Sequence, residues 1–487
     1  MDNTEDLRML LASRFPVVVA RATDEERLLD IIAHEAAAIE TPLWVWTVTA
    51  GLRRHGGEPQ YGTTEPEAAL QAVSSTQAPA VYVFADCAKL LADPKGVRRI
   101  KEIARETWLG RTIVLAGSDI EIPADLRGLA LTWTLRPPSR DELQALVGRT
   151  LGDLEKRNFP IQLSASERTD LVEAVRGLSV LEAEHVIQRA ALRDGVVSKE
   201  DIAYVRTAKA QLVGADGTLE LIEADIGGMD DIGGLGRLKE WLRVRRRAFE
   251  PQAAEWGLEP PRGVLLTGVP GCGKSLIAKT LARAWEMPLV LLDPARLYGR
   301  YVGESEQRLA DALHMIEAMI PVVVWIDEVE KGFASHDLDG GTSQRVLGTF
   351  LRWMQERPAG AFIVATSNDV ARLPPEFLRK GRFDEVFFVD LPEAAEREAI
   401  FSSVLARRGY DPAAFRVRTL ATAAKGFSGA EIEAAVVGAL YRAYADDADP
   451  TAAMIKAELK ATVPLSLARP EQIDRIRAWA SEHAVPA

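Results

Sequence analysis

The sequence predicts an α/β protein: a parallel sheet closed by a helical lid, preceded by a second α/β domain with its own helical part. Three observations predict it. In the second half Gly263 to Thr267 is apolar, Ser275 to Trp285 has helical spacing, and Pro288 to Leu292 is apolar again; strands interleaved with helices in this way build parallel sheets. Two further apolar runs, Val322 to Ile326 and Ala361 to Thr366, are each entered from a helix-like segment. Beyond Leu391-Pro392 no strand signal returns, and Glu393 to Leu405, Gly429 to Ala445 and Glu471 to His483 read as helices.

The first half carries a fainter copy of this order. Pro79-Ala-Val-Tyr-Val-Phe-Ala-Asp-Cys-Ala-Lys89 lies without gaps on Pro321-Val-Val-Val-Trp-Ile-Asp-Glu-Val-Glu-Lys331. Ile113 to Asp119 matches Ile363 to Asp369, and Gly177-Leu-Ser179 with Glu182 and Glu184 matches Gly426-Phe-Ser428 with Glu431 and Glu433. Three matches in one order point to a duplication. The expected layout is an α/β domain over 1–150, a helical subdomain over 151–213, a linker over 214–228 around Gly214-Ala-Asp-Gly217, a core over 229–391, and a helical lid with a C-terminal extension over 392–487.

A chain of 487 residues is too long for one core of usual size. Hydrophobic residues at 47% and charged ones at 27% are ordinary for a globular protein, which excludes a disordered or fibrous class. The longest apolar runs fall far short of a bilayer span and the first residues lack signal-peptide features, so a cytoplasmic location without a membrane span is expected. Two cysteines, Cys87 and Cys272, are too few for a disulfide framework or a four-thiolate metal site. A net charge of −12 argues against broad binding of nucleic acid. The short basic run Arg243, Arg245, Arg246 and Arg247 is expected to be the solvated face of a helix.

Gly268-Val269-Pro270-Gly271-Cys272-Gly273-Lys274-Ser275, followed by Leu276, fits G-x-x-x-x-G-K-[ST] between a strand and a helix, and so reads as a P-loop. Its glycines let backbone N–H groups turn toward phosphates, Lys274 reaches the β and γ phosphates of ATP, and the Ser275 hydroxyl binds Mg²⁺. The run Val322 to Ile326 ends in Asp327 and Glu328. Adjacent acids at a buried strand end are costly unless they serve a metal or a reacting group. Asp327 is expected to hold Mg²⁺ through water, and Glu328 to act as general base on the attacking water.

Asp231-Ile-Gly-Gly-Leu235, the P-loop, Tyr301-Val-Gly-Glu-Ser-Glu306, Ile326-Asp-Glu328, Ala365-Thr-Ser-Asn368, Leu378-Arg-Lys-Gly-Arg-Phe-Asp384 and Gly426-Phe-Ser-Gly-Ala430 together resemble the successive motifs of AAA proteins. The whole layout looks most like a chloroplast and cyanobacterial AAA family known first as a conserved reading frame. The resemblance implies a Rossmann-like P-loop NTPase core with a lid, assembled as a homo-oligomer, usually a ring of six. It implies that Asn368 positions the attacking water, and that Arg379 and Arg382 are arginine fingers reaching a neighbour's site. Ile232 and Gly233 would line the adenine pocket, and Gly429 and Ala430 would bring small residues close to the nucleotide. Tyr301 falls where AAA unfoldases carry an aromatic pore loop that grips an extended polypeptide. The function expected is hydrolysis of ATP to ADP and phosphate coupled to remodelling of a protein partner; the alternative is an ATP-dependent switch or scaffold that threads nothing.

Val269 and Cys272 depart from the Pro and Thr of many relatives. Cys272, at a helix N-terminus, is expected either to have thiolate character or to be an inert core thiol. The first half has lost the chemistry: Ala20-Arg-Ala-Thr-Asp-Glu-Glu26 follows Pro16-Val-Val-Val19 where a P-loop would stand, Ala85 precedes Asp86 where a second acid would be, and Ser118 stands opposite Asn368.

Overall fold

The computed structural model describes residues 3–22, 24–85, 87–118, 120–214, 217–222, 228–229, 232–297, 304–333 and 342–487. The chain forms two compact units, Met1–Lys199 and Glu200–Ala487. Among the described residues no helix is long and apolar enough to cross a membrane.

The first unit holds β1 (Val17–Arg21), β2 (Leu43–Thr47), β3 (Gly51–Arg54), β4 (Ala80–Phe84), β5 (Arg111–Gly117) and β6 (Ala130–Thr134). They form one sheet in the order β3-β2-β4-β5-β1-β6, parallel except for the β2–β3 hairpin. Its strands are apolar on both faces because helices cover both. Val17, Val19, Tyr82, Phe84, Ile113 and Leu115 pack to one side, while Val18, Ala20, Val81, Val83, Val114 and Ala116 pack to the other. Helices Arg140–Lys156, Ala165–Val175 and Val180–Asp194 follow, each opened by a Ser–Glu capping box.

In the second unit, β7 (Leu219–Ile222), β8 (Gly263–Gly268), β9 (Leu289–Leu292), β10 (Val322–Ile326), β11 (Ala361–Ser367), β12 (Glu385–Val389) and β13 (Val485–Pro486) form a seven-stranded sheet ordered β13-β12-β8-β11-β10-β9-β7. Only β7 is antiparallel to its neighbour. Successive residues again go to opposite faces: Val322, Val324 and Ile326 join one cluster, Val323 and Trp325 the other. The lid packs Phe401, Leu405, Phe415, Leu420, Ile432, Val436 and Leu459 into a core of its own. Its helices include Ala394–Ala406, Val417–Ala423, Gly429–Ala445 and Ala452–Ala461.

Read from one edge, β6-β1-β5-β4-β2-β3 and β12-β8-β11-β10-β9-β7 are the same arrangement. The paired segments keep their register: β4 and β10 sit under the gapless match of residues 79–89 with 321–331, and β5 and β11 under the second match. Ser179 and Ser428 both cap their helices with the predicted glutamates, Glu182 and Glu431, after left-handed Gly177 and Gly426. The duplication is thus visible in topology, register and caps. The edges differ, since β3 arrives by a hairpin from β2 whereas β7 precedes all other strands of its sheet.

Three sequence expectations change. The segment taken as a linker contains β7, because Leu219 is buried while Glu220 faces out, and the strand pairs with β9. Helix Lys199–Val213 groups mostly with the second unit, where Val213 packs with Leu219 and Leu292. A strand does return after Pro392: β13 adds to β12, with the Ala487 N–H on the Phe388 carbonyl at 3.1 Å. Ala215 and Asp216 of the linker motif, Asp86, Asp119 and Asp231 lie outside the described residues. The basic run belongs to helix Gly236–Arg246 and the turn after it, with Arg243 paired to Glu240 at 2.7 Å and the Arg245 guanidinium 3.8 Å from the Trp241 ring centre.

The core below the second sheet centres on Phe350, fully buried and stacked on Phe333 with ring centroids 4.9 Å apart. Phe350→Ala should lower the unfolding free energy by about 3–5 kcal/mol, read from denaturant titration followed by tryptophan fluorescence. A loss below about 1 kcal/mol would contradict this packing.

Candidate nucleotide site

The P-loop sits where β8 ends and helix Lys274–Trp285 begins. Gly268, Gly271 and Gly273 have φ of +140°, +78° and +88°, values that side-chain-bearing residues rarely adopt. At Gly268 space is lacking as well, since a Cβ would lie 2.0 Å from the Val389 carbonyl oxygen. The loop is pinned on two sides: the Val269 N–H donates to the Val389 carbonyl at 3.0 Å, and the Ala430 N–H of the lid donates to the Gly271 carbonyl at 3.0 Å.

Lys274 is buried, and its ammonium donates to the carbonyls of Gly268 and Val269, each at 2.9 Å. Burial lowers its pKa to about 8, against the opposing pull of Glu330, Asp327 and Glu328. The Ser275 hydroxyl donates to Asp327 Oδ1 at 3.0 Å. That carboxylate oxygen also accepts the Thr366 hydroxyl proton at 2.6 Å, and Thr366 Oγ1 in turn accepts the Glu328 N–H at 2.9 Å. Asn368 Nδ2 donates to Glu328 Oε1 at 2.7 Å, and Lys331 pairs with the same carboxylate. Glu328 has φ of +46°, a left-handed conformation that costs a non-glycine residue roughly 1–3 kcal/mol. These bonds to Thr366 and Asn368 hold it there.

These groups end a cleft of about 540 Å³. Of the predicted residues, Pro270, Gly271, Cys272, Gly273, Lys274, Ser275, Leu276, Asp327, Glu328, Asn368, Ile232, Gly233, Gly429 and Ala430 all line it. Val269 does not: it is wholly buried beneath the loop and contributes its backbone to Val389 and Lys274. Arg379 and Arg382 are not part of the lining either. Both belong to the connection between Pro375–Leu378 and β12, Arg379 exposed and Arg382 half-buried. Burial and the Arg379 charge hold the Arg382 guanidinium below its ordinary range. Tyr301 lies outside the described residues.

Sequence reading missed Thr366, whose position one strand over from Asp327 was recoverable from the β10–β11 pairing. It also missed the far wall of the cleft, where the lid helix supplies Glu396, Ile400, Ser403, Val404 and Arg407. No motif marks these residues; they are found only by folding the lid over Ile232 and Gly233. In the first unit three residues separate the end of β1 at Arg21 from the helix Glu25–Ala38, and Asp24 Oδ1 caps that helix by accepting the Arg27 N–H at 3.0 Å. Ala85 is buried and Ser118 exposed.

The two oxygens of Ser275 and Asp327 suit a hard cation that keeps much of its water and nucleotide phosphate shell, as Mg²⁺ does. Of the two readings of Cys272, the structure favours the inert thiol over the thiolate. Burial pushes its pKa up to about 12, and the nearby charges of Asp390 and Glu431 add to this despite Lys274. Iodoacetamide at pH 8 should therefore label Cys272 in the native protein at least about 100-fold more slowly than a free cysteine of pKa about 8.5. Peptide mass spectrometry over time reads the rate, and labelling as fast as the free thiol would restore the thiolate.

The model of the ATPase family associated with various cellular activities (AAA) matches residues 264–391. Models of the SpoVK-like AAA ATPase match the first half, the N-terminal domain over 3–135 and the second domain over 141–216. The chain is similar to AAA domain-containing protein ycf46 of Trieres chinensis, 34% identical over 99% of this chain and 97% of the relative. It is 32% identical to ycf46 of Pyropia yezoensis, over 99% of this chain and 98% of the relative. Against the ATPase family protein 2 homolog of Caenorhabditis elegans it is 26% identical over 64% of this chain and 43% of the relative.

Proposed function

The chain belongs to the AAA ATPase family, on relatives matched nearly end to end at 31% to 34% identity, and from that premise we propose that it is a ring-forming, Mg²⁺-dependent ATP hydrolase whose turnover remodels a protein partner. One observation carries the reading. The cleft gathers a phosphate-binding lysine, a cation-binding pair and a water-activating pair, yet neither Arg379 nor Arg382 of the same chain reaches it. The AAA core runs from β7 through β12 and takes β13 from the end of the chain, and the lid helices lie between β12 and β13.

Lys274 turns from the Gly268 and Val269 carbonyls to the β and γ phosphates. Ser275 and Asp327 would hold Mg²⁺, which when bound would neutralise charge on those phosphates. Glu328 accepts the proton of the attacking water, and Asn368 holds both that water and the Glu328 carboxylate in line. The base stacks between Ile232–Gly233 and the lid residues Ile400 and Val404. Arg379 and Arg382 of an adjacent copy neutralise the charge that spreads over the transferring phosphoryl group, an effect worth about 10³ to 10⁵ in rate. The ring, six copies by the family's habit, is thus part of the active site. The first unit keeps the sheet without the phosphate chemistry and hydrolyses nothing.

Glu328→Gln should keep ATP affinity, read by fluorescent-nucleotide titration, and lose at least about 100-fold in turnover. Arg379→Ala should likewise keep binding and lose about 10³ in rate. Rapid steady-state hydrolysis by the Glu328→Gln protein would contradict the role given to Glu328, and full rate from a dilute monomer verified by sedimentation would falsify the shared site. Remodelling rests on Tyr301, whose flat amphipathic ring grips chain without reading its sequence. Tyr301→Ala should retain ATPase activity and lose ATP-dependent unfolding of a partner recovered on the Glu328→Gln trap. Unfolding that is indifferent to Tyr301 would favour the switch or scaffold instead.

A further inference from the structure

Glu330, two residues beyond the proposed base, is 3% exposed, and beyond the pull of its charge on Lys274 it has no role in the chemistry above. It lies on the short helix Val329–Phe333, which is seated firmly. Val329 and Phe333 are buried in the core cluster, Phe333 stacks on Phe350, and a Cβ on Gly332 would lie 2.0 Å from the Pro294 side chain. The helix cannot shift without breaking these contacts. Its carboxylate is therefore a fixed point, and a buried carboxylate is a costly one unless it serves something.

What it serves is Asn368. The ladder of β11 ends at Ser367, which pairs with Thr267 on β8. The next N–H, that of Asn368, has no strand to meet, and it donates instead to Glu330 Oε1 at 2.9 Å. From that anchored backbone the Asn368 side chain reaches Glu328 Oε1 at 2.7 Å. The other oxygen of Glu330 is buried without a hydrogen-bond partner among the described residues. The whole of its visible bonding is thus spent on one backbone amide at the edge of the cleft.

We propose that Glu330 is a positioning residue for ATP hydrolysis: it fixes the Asn368 backbone beyond the end of the sheet, and so sets where the Asn368 amide meets Glu328 and the attacking water. This rests on the ATPase reading given above. Because Glu330 acts through Asn368, it governs turnover and leaves nucleotide binding alone. Because it acts as an acceptor, an amide oxygen in the same place can do the work.

The test uses the full chain, assembled at the concentration where wild type is active. Glu330→Ala should lower kcat about tenfold, the scale of one charge-assisted hydrogen bond, with ATP affinity within about twofold of wild type. Glu330→Gln should bring the rate back to within about threefold of wild type. Adding Glu330→Ala to Asn368→Ala should cost less than a further twofold, since residues acting in series are not additive. Three results would each overturn the proposal: a lower melting temperature for Glu330→Ala with kcat intact, a Glu330→Gln protein as slow as Glu330→Ala, or fully additive losses in the double variant. Absence of ATPase activity in wild type would instead sink the reading beneath it, and full activity of Asn368→Ala would sink that residue's role, so the failures are distinguishable.

Discussion

The register of β10 against β11 is the constraint on which the catalytic end of the cleft depends. Ile326 lies opposite Ala365, so the residues that follow, Asp327 and Glu328 on one strand and Thr366 to Asn368 on the other, emerge side by side. A slip of one residue would turn every side chain to the opposite face. Thr366 would no longer bridge Asp327 and the Glu328 backbone, and Asn368 would lose Glu328. The register is held by burial: every residue of both strands is buried, with alternate side chains committed to two separate cores. Hydrophobic packing that never touches nucleotide thereby fixes polar atoms to within hydrogen-bonding distance of one another.

The first unit shows the same packing without that outcome. Its sheet has the same order, and β4 and β5 align with β10 and β11, yet its strand ends carry Ala85 and Ser118 in place of a second acid and an amide. The turn after β1 is too short for a phosphate cradle, and its capping aspartate would repel an anion. A fold can persist on its apolar pattern after the residues at its rim have changed, which is why fold and chemistry must be argued separately.

Much of this was legible in the sequence, and unevenly so for physical reasons. The P-loop, the acidic pair and Asn368 were readable because each needs a fixed residue type at a fixed place beside a strand. The gapless match of residues 79–89 with 321–331 predicted equivalent strands, since a buried parallel strand tolerates few patterns. The lid wall of the cleft was not readable. Ile400, Ser403, Val404 and Arg407 are ordinary helix residues whose place depends on how Gly233 and Gly234 pack on Glu396 and Ala399. Strand β7 was hidden by its shortness and by the glycines before it, and β13 by its length of two residues. The sequence left two readings of the Cys272 thiol because helix N-termini favour anions and burial opposes them; burial is the larger effect here.

Strand β13 has one further consequence. An open sheet border is a template on which another chain can lay its own backbone. On the β12 side Val485 and Pro486 occupy that border, and proline has no N–H to offer outward. The sheet is thus blunted on this side by β13, which discourages copies of the molecule from associating by extending this border.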